Sequence, residues 1–239
     1  MTRFFSSFLL LLIVTQAVAQ ELTGNQLLEK AIAYHDPNNN WNNFNGKLNI
    51  TMETPAASDR VSEITINLPR QYFKLMWQKD ENSVTQQIDK DSCTISLNGS
   101  DKISEEKVKE LRLTCERTVM MKDYYTYLYG LPMKLKDPGS LIDTKVEKRT
   151  FKDNEYLVLK VSYKEPIGGD TWYFYFDPKT YAMKVYQFYH DESKNDGEYI
   201  LLSGEETANG IKMPKTRAWY YNKDDKYLGT DILTKTKAL

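Results

Sequence analysis

Thr171 to His190 reads TWYFYFDPKTYAMKVYQFYH, and its two halves decide the fold. Successive side chains of a strand point to opposite faces. In Thr171 to Phe176, Trp172, Phe174 and Phe176 therefore share one face, and Tyr173 and Tyr175 share the other. In Ala182 to His190, Lys184, Tyr186, Phe188 and His190 alternate with Met183, Val185, Gln187 and Tyr189. Asp177-Pro178 is the turn signal between them, so the pair predicts an antiparallel hairpin. A half-exposed sheet alternates apolar with polar residues. Here both faces carry large rings. Either the middle of the sheet is covered on both sides, or one face lines a cavity. Tyr and Trp suit a cavity wall, because each joins a ring to one polar atom. Core packing and ligand lining thus remain two readings of the same residues.

Working outward, the same period of two recurs along most of the chain. Leu48, Ile50 and Met52 alternate with polar residues, as do Ile64, Ile66 and Leu68, and then Phe73, Leu75 and Trp77. Ser83 to Asp89 and Ser92 to Leu97 continue the series. Beyond the middle come Thr144 to Phe151, Tyr156 to Tyr163, Gly197 to Gly204, Ile211 to Asn222 and Tyr227 to Lys237. Asp153-Asn154, Asn195-Asp196-Gly197, Asn209-Gly210 and Asp224-Asp225 mark turns between them. Short links between strands predict an antiparallel meander. About a dozen strands in one chain must curl, split or close. No internal repeat is visible, so a propeller or solenoid is not expected.

Two segments break the period. Thr23 and Gln26 form a capping box, Leu22 and Leu27 stand at the staple positions, and an apolar helical face follows until Pro37. A polar loop, Asp36 to Gly46, then carries Trp41 and Phe44. The second break is Ser104 to Tyr129, where Ser104 is a fair N-cap and Val108, Leu111, Cys115 and Val119 share a face. It predicts one long helix or two short ones inserted into the strand order. Its end, Asp123 to Tyr129 (DYYTYLY), fits helix or strand. The first 19 residues read as a cleavable secretory leader, with Arg3, the apolar run Phe8 to Val14 and an Ala17-Val18-Ala19 cleavage pattern before Gln20. The run is shorter than the roughly 20 residues of a membrane span. No Cys follows it for acylation, so the expected product is a periplasmic chain, not a lipoprotein. Residues 20–239 are expected to form one domain.

Composition narrows the function. The formal net charge is −1, so nothing favours nucleic acid as a partner. Hydrophobic residues make up 41% and aromatic residues 13%, enough for a sizeable core and too regular for disorder. The only two cysteines, Cys93 and Cys115, read as a disulfide in an exported chain, with free buried thiols as the other reading. The only two histidines sit in matching tripeptides, Tyr34-His35-Asp36 and Tyr189-His190-Asp191. If His35, Asp36, His190 and Asp191 met, they would supply a ligand set for zinc or another divalent ion. The plain alternative is a histidine at a helix end and another at a strand end. No nucleophile elbow, calcium loop or phosphate cradle occurs, and no cofactor is implied.

The order of leader, capped helix, long meander, helical insertion and second meander resembles the LolA/LolB-like superfamily of periplasmic lipoprotein carriers. The stretch Trp172 to Met183, with its Asp-Pro-Lys-Thr turn, is similar to a recurrent hairpin of that superfamily. Leu28 to Thr54, Tyr124 to Gly139 and Gly197 to Glu205 resemble recurring blocks of an uncharacterised family of exported, flavobacterial-type proteins. The resemblance implies a mainly β fold with helices: a curved antiparallel sheet, or incomplete barrel, whose concave face the helices cover. The carrier's latch arginine has no indicated equivalent in this sequence; Arg60, Arg70 and Arg217 all stand open. The expected function is binding or carriage of an apolar or amphiphilic ligand, such as a lipid or acyl chain. Trp77, Trp172, Phe174, Tyr186, Phe188 and Trp219 are the expected ligand-binding residues. A metal-dependent envelope hydrolase using His35 and His190, and an envelope protein-interaction module, are the competing expectations.

Overall fold

The computed structural model describes residues 22–165 and 168–239; the expected leader lies outside them. The first helix, α1 (Gly24–His35), starts as its sequence dictates. The Thr23 side chain accepts a bond from the Gln26 amide, and the Gln26 side chain accepts one from the Thr23 amide. Five strands follow: β1 (Asn45–Thr54), β2 (Ala57–Asn67), β3 (Tyr72–Lys79), β4 (Asn82–Asp89) and β5 (Ser92–Leu97). Two helices come next, α2 (Glu105–Leu111) and α3 (Cys115–Gly130). Seven more strands complete the chain: β6 (Ser140–Phe151), β7 (Asn154–Tyr163), β8 (Thr171–Phe176), β9 (Met183–Tyr189), β10 (Glu198–Ala208), β11 (Ile211–Tyr221) and β12 (Tyr227–Ala238).

These form one twelve-stranded antiparallel sheet, ordered β5-β4-β3-β2-β1-β12-β11-β10-β9-β8-β7-β6. The first and last strands, β1 and β12, pair in the middle. The two free edges are therefore β5 and β6, which are neighbours in sequence. The connection between them, carrying α2 and α3, runs from one edge to the other. Laid flat, such a sheet would be roughly 50 Å wide at ~4.8 Å per strand. The sixteen residues of α3 span only ~24 Å. The sheet is curled, and α1 and α3 pack inside its concave face, where burial of the shared apolar residues holds them. There Leu27, Leu28 and Ala31 of α1 and Met121, Tyr125, Leu128 and Tyr129 of α3 share one core with the inward residues of both halves of the sheet.

The opposite face has a smaller cluster of Val158, Tyr173, Tyr175 and Val185. Phe151, at the end of β6, meets Tyr175 and Tyr199 with ring centroids 5.3 and 5.2 Å apart. Lys152 beyond it pairs with Asp225 in the β11–β12 turn. The tip of the β6–β7 hairpin thus bends over the outside of β8 to β10. This explains why both faces of Thr171 to Tyr189 are aromatic: each face has its own cover.

The insertion is two helices. Arg112 adopts a left-handed conformation (φ 52°) that ends α2, Leu113 is buried, and Thr114 caps α3 by accepting from the Arg117 amide. The ambiguous DYYTYLY stretch is helical within α3. The expected loop at 36–46 holds a 3-10 turn, Trp41–Asn43, because the Asp36 carboxylate accepts the Asn40 and Trp41 amides at 2.8 Å each. Trp41 and Phe44 are consequently core residues. Among the described residues no helix is long and apolar enough to cross a membrane.

A disulfide joins Cys93 on β5 to Cys115, the first residue of α3, across a separation of 22 residues. Closing a loop of that length restricts the unfolded chain by about 3 kcal/mol. Replacing both cysteines with serine is expected to lower urea stability by about that amount. Hydrogen exchange of the variant should quicken first along residues 98–120. A double variant as stable as the parent would contradict the staple role.

Candidate functional site

α3 is an unusual cover. Its inner side carries Met121, Tyr125, Leu128 and Tyr129, all buried. Its outer side carries Val119, Met120 and Tyr124, which remain 37–45% exposed. An ordinary surface helix is polar on its outer face; this one sets those three side chains beside exposed Glu116 and Asp123. Its N-terminus is held by the disulfide. Its C-terminus, Gly130, lies so close to the Trp41 indole that an added Cβ would come within 2.3 Å of the ring.

Clefts flank α3. One of about 650 Å³ lies between α3 and β7–β8, lined by Met120, Tyr124, Tyr127, Pro138, Tyr163 and Trp172 among others. One of about 390 Å³ lies on the other side, against Ile66, Tyr72, Phe73 and Ile88. Thr126, Lys134 and Asp137 border both. A third, of about 190 Å³, opens between Tyr124, Trp219, Met52 and Asp231. In the largest cleft the Tyr127 and Tyr163 hydroxyls meet at 2.5 Å, and burial pushes the Tyr163 phenol up to about 12. Both therefore stay neutral at ordinary pH.

Five of the six aromatic residues expected to bind ligand form one connected floor beneath α3. Trp172 meets Phe188 at 4.8 Å between centroids, Phe174 at 6.0 Å and Tyr186 at 6.4 Å. Tyr186 meets Trp219 at 6.4 Å. The helix touches this floor twice, through Tyr127 on Trp172 (5.8 Å) and Tyr124 on Trp219 (6.5 Å). Phe174 and Tyr186 are fully buried, whereas Trp172 and Trp219 border the clefts. Trp77 stands apart on β3, packed against the edge of the concave core. The helix side of the site, Met120, Tyr124 and Tyr127, is not among the expected binding residues. Its signal was the aromatic stretch 123–129, which periodicity left ambiguous.

A charged row crosses the same interior. By strand register, Arg60 on β2 faces Met52 on β1, Met52 faces Asp231 on β12, and Asp231 faces Arg217 on β11. Arg217 is fully buried. It donates to the Pro214 carbonyl (3.0 Å) and to the Leu128 carbonyl of α3 (3.4 Å), and its guanidinium lies 3.9 Å from the Tyr129 ring centre. Arg60 donates to the Tyr125 hydroxyl at 3.0 Å. Burial raises the Asp231 carboxyl, and the two arginines oppose that rise. Burial also raises the Tyr129 and Tyr186 phenols. Five buried atoms around the row have no hydrogen-bond partner among the described residues: Arg60 Nε, Arg217 Nε, Ser62 Oγ, Tyr129 OH and Tyr186 OH. Of the three arginines considered for a latch, Arg70 instead makes an exposed pair with Asp89.

The two His–Asp units are not brought together. His35 is buried, with Nδ1 2.7 Å from the Lys212 carbonyl and Nε2 accepting the Met183 amide at 3.0 Å. Asp36 is occupied by the Asn40 and Trp41 amides. His190 is exposed and pairs with Asp170 at 2.7 Å, while Asp191 pairs with Lys194 and caps a short turn. His190 lies seven residues past Met183 along β9, roughly 23 Å at ~3.3 Å per residue. Among the described residues no three His, Cys, Asp or Glu side chains are grouped to hold a metal.

The chain matches the family model of a family of unknown function, DUF6503, over residues 3–236, and belongs to that family. It is similar to the LolA-superfamily protein NE2245 of Nitrosomonas europaea, with 9% identity, coverage of 92% of this chain and 94% of that one, and a TM-score of 0.50. It is also similar to a domain of Vibrio parahaemolyticus ascribed to outer membrane lipoprotein sorting, with 11% identity, 90% and 93% coverage, and a TM-score of 0.52. At these identities the likeness is one of fold, the open helix-covered antiparallel sheet. No curated protein matches the chain at a significant level.

His35 predicts a pH dependence. Burial holds its imidazole below the ordinary 6.5. As pH falls through that value the unfolded chain takes up the proton first, so stability is lost on acidification. His190 has the opposite sign, because Asp170 raises it, but the pair is exposed and weak. The melting temperature is expected to fall between about pH 7.5 and 5.5, and His35→Gln should flatten that fall. An unchanged slope in the variant would assign the titration elsewhere.

Proposed function

We propose that this protein is a periplasmic binding or carrier protein for an apolar or amphiphilic ligand such as a lipid or acyl chain. The observation that carries the reading is the aromatic floor of Trp172, Phe188, Tyr186 and Trp219 beneath a helix that also exposes Val119, Met120 and Tyr124 on its outer side. A helix that only closed a core would gain nothing from exposed Val119, Met120 and Tyr124. A helix that shares an apolar ligand with the sheet uses both of its faces. The clefts on either side of α3 have lengths of ring surface for an apolar chain to follow, and dispersion and burial supply the affinity. The ascription of a similarly folded Vibrio domain to lipoprotein sorting supports the ligand class and the compartment. The leader-like residues 1–19 support export.

The chain is expected to bind a dansyl-labelled fatty acid saturably. Trp172→Ala and Trp219→Ala should each weaken that binding by roughly tenfold, the worth of a buried aromatic contact. Trp77→Ala should leave it unchanged. The measurement is fluorescence titration of detergent-free protein, with native mass spectrometry of the freshly purified chain beside it. No saturable binding and no co-purifying lipid would sink the carrier reading.

A further inference from the structure

The hydroxyl pair of Tyr127 and Tyr163 is the polar feature of the largest cleft that an apolar chain alone would not use. The two oxygens lie 2.5 Å apart, and both residues line the 650 Å³ cleft between α3 and β7–β8. Burial raises both phenols, so both keep their protons at ordinary pH. A phenol has one proton to donate and lone pairs that accept. One proton therefore lies between the two oxygens, donated by one phenol and accepted by the other. The accepting phenol still has its own proton, which meets no acceptor among the described residues. The pair thus offers one free donor, in a cleft whose other walls include Met120, Tyr124, Pro138 and Trp172. A donor beside apolar surface favours a ligand atom that accepts.

The charges of the same cleft say what kind of acceptor fits. Asp123, Asp137 and Asp170 line it together with Lys134. Each carboxylate already has a basic partner: Lys122 lies 3.6 Å from Asp123, Lys134 pairs with Asp137, and His190 lies 2.7 Å from Asp170. A charged head of either sign would be partly buried there without a counter-charge of its own, which is costly. An anion would also meet the negative end of the α3 dipole, because Tyr127 stands in the last turn of the helix. An uncharged oxygen incurs neither cost. An alcohol or amide brings a further proton that needs an acceptor, whereas an ester carbonyl only accepts.

We infer that the Tyr127–Tyr163 pair is the head-group site for an uncharged acyl ester, whose carbonyl oxygen accepts the free phenol proton. The inference rests on the carrier reading and names the head group that reading leaves open. The position suits the chain of such a molecule. The Tyr127 ring lies 5.8 Å from Trp172, which lies 4.8 Å from Phe188. A carbonyl held at the pair therefore has its chain beside Trp172, Met120 and Tyr124 in the same cleft.

The test uses the purified chain and four probes of one chain length: methyl laurate, dodecane, laurate and dodecylammonium. Dissociation constants are read from tryptophan fluorescence, for the parent and for the double variant Tyr127→Phe/Tyr163→Phe. The double change keeps both rings and removes both partners of the bond together, a change that costs little stability. Methyl laurate is expected to bind the variant about tenfold more weakly than the parent, the worth of one hydrogen bond, while dodecane binds both alike. In the parent, laurate and dodecylammonium are expected to bind more weakly than the ester. That ranking needs no variant and serves if the double change does not fold. An ester whose affinity falls no further than that of dodecane would overturn the inference and leave the carrier reading standing, since the hydroxyls would then serve only the fold. A parent that binds either ion more tightly than the ester would also overturn it, because the head would then be charged. Failure of all four probes would overturn the carrier reading and the inference together.

Discussion

The structure depends on one geometrical demand: the connection between consecutive strands β5 and β6 must cross the whole sheet. Because β1 and β12 pair in the middle, the chain builds outward to β5, leaps to the far edge at β6 and builds back. The leap takes residues 98–139, a length that could cross even a flat sheet, so burial and not reach draws the sheet round the helix. The inward residues of both halves of the sheet are apolar, and α3 on the crossing connection completes their core. The edges are protected in the same way. β6 carries alternating charges and a register shift between Ile142 and Val146, and the N-terminus of α1 docks there through the Thr23–Lys145 bridge.

The filling is imperfect in an informative way. Apolar burial accounts for most of the concave face, but the interior also holds arginine, aspartate and phenol groups whose hydrogen bonds are incomplete. Cores are stabilised by removing such groups rather than by keeping them. By contrast, the aromatic cluster on the opposite face is closed off with its polar atoms matched: Tyr175 donates to Gln187, Tyr173 to Glu192, and Arg149 lies over the Tyr173 ring at 4.2 Å. One sheet thus carries two aromatic clusters, one with its polar atoms matched and one beside buried polar atoms that lack partners among the described residues.

Much of the fold was legible because strands announce themselves by alternation. Ser92 to Leu97 and Thr171 to Phe176 have the bounds that their sequences predict. β2 begins seven residues before the apolar run at Ile64, because Ala57 to Arg60, mostly polar, pair with β1 alone and β3 joins only from Val61. The capping box of α1 is legible to the atom. The candidate site is less so. Alternation says which face a residue takes but not where along the sheet it falls, which is why Trp77 looked equivalent to Trp219. The row of Arg60, Asp231 and Arg217 is invisible for a stronger reason. Its members lie in strands far apart in sequence, and only the β1–β12 pairing and its register shift at Asn49/Ile50 align them. The paired aromatic faces of β8 and β9 allow both core packing and a cavity wall, and the structure has both: core at Phe174 and Tyr186, cleft wall at Trp172.

The position of that row ties the two halves of the chain to α3. It straddles the seam where the two halves of the chain meet, with Arg60 from the first half and Arg217 from the second. Each arginine also holds α3, Arg60 at the Tyr125 hydroxyl and Arg217 at the Leu128 carbonyl, less than one helical turn apart. The disulfide ties the first residue of the same helix to β5, so α3 is held to the sheet by a covalent bond at its start and by polar contacts from both halves of the chain further along.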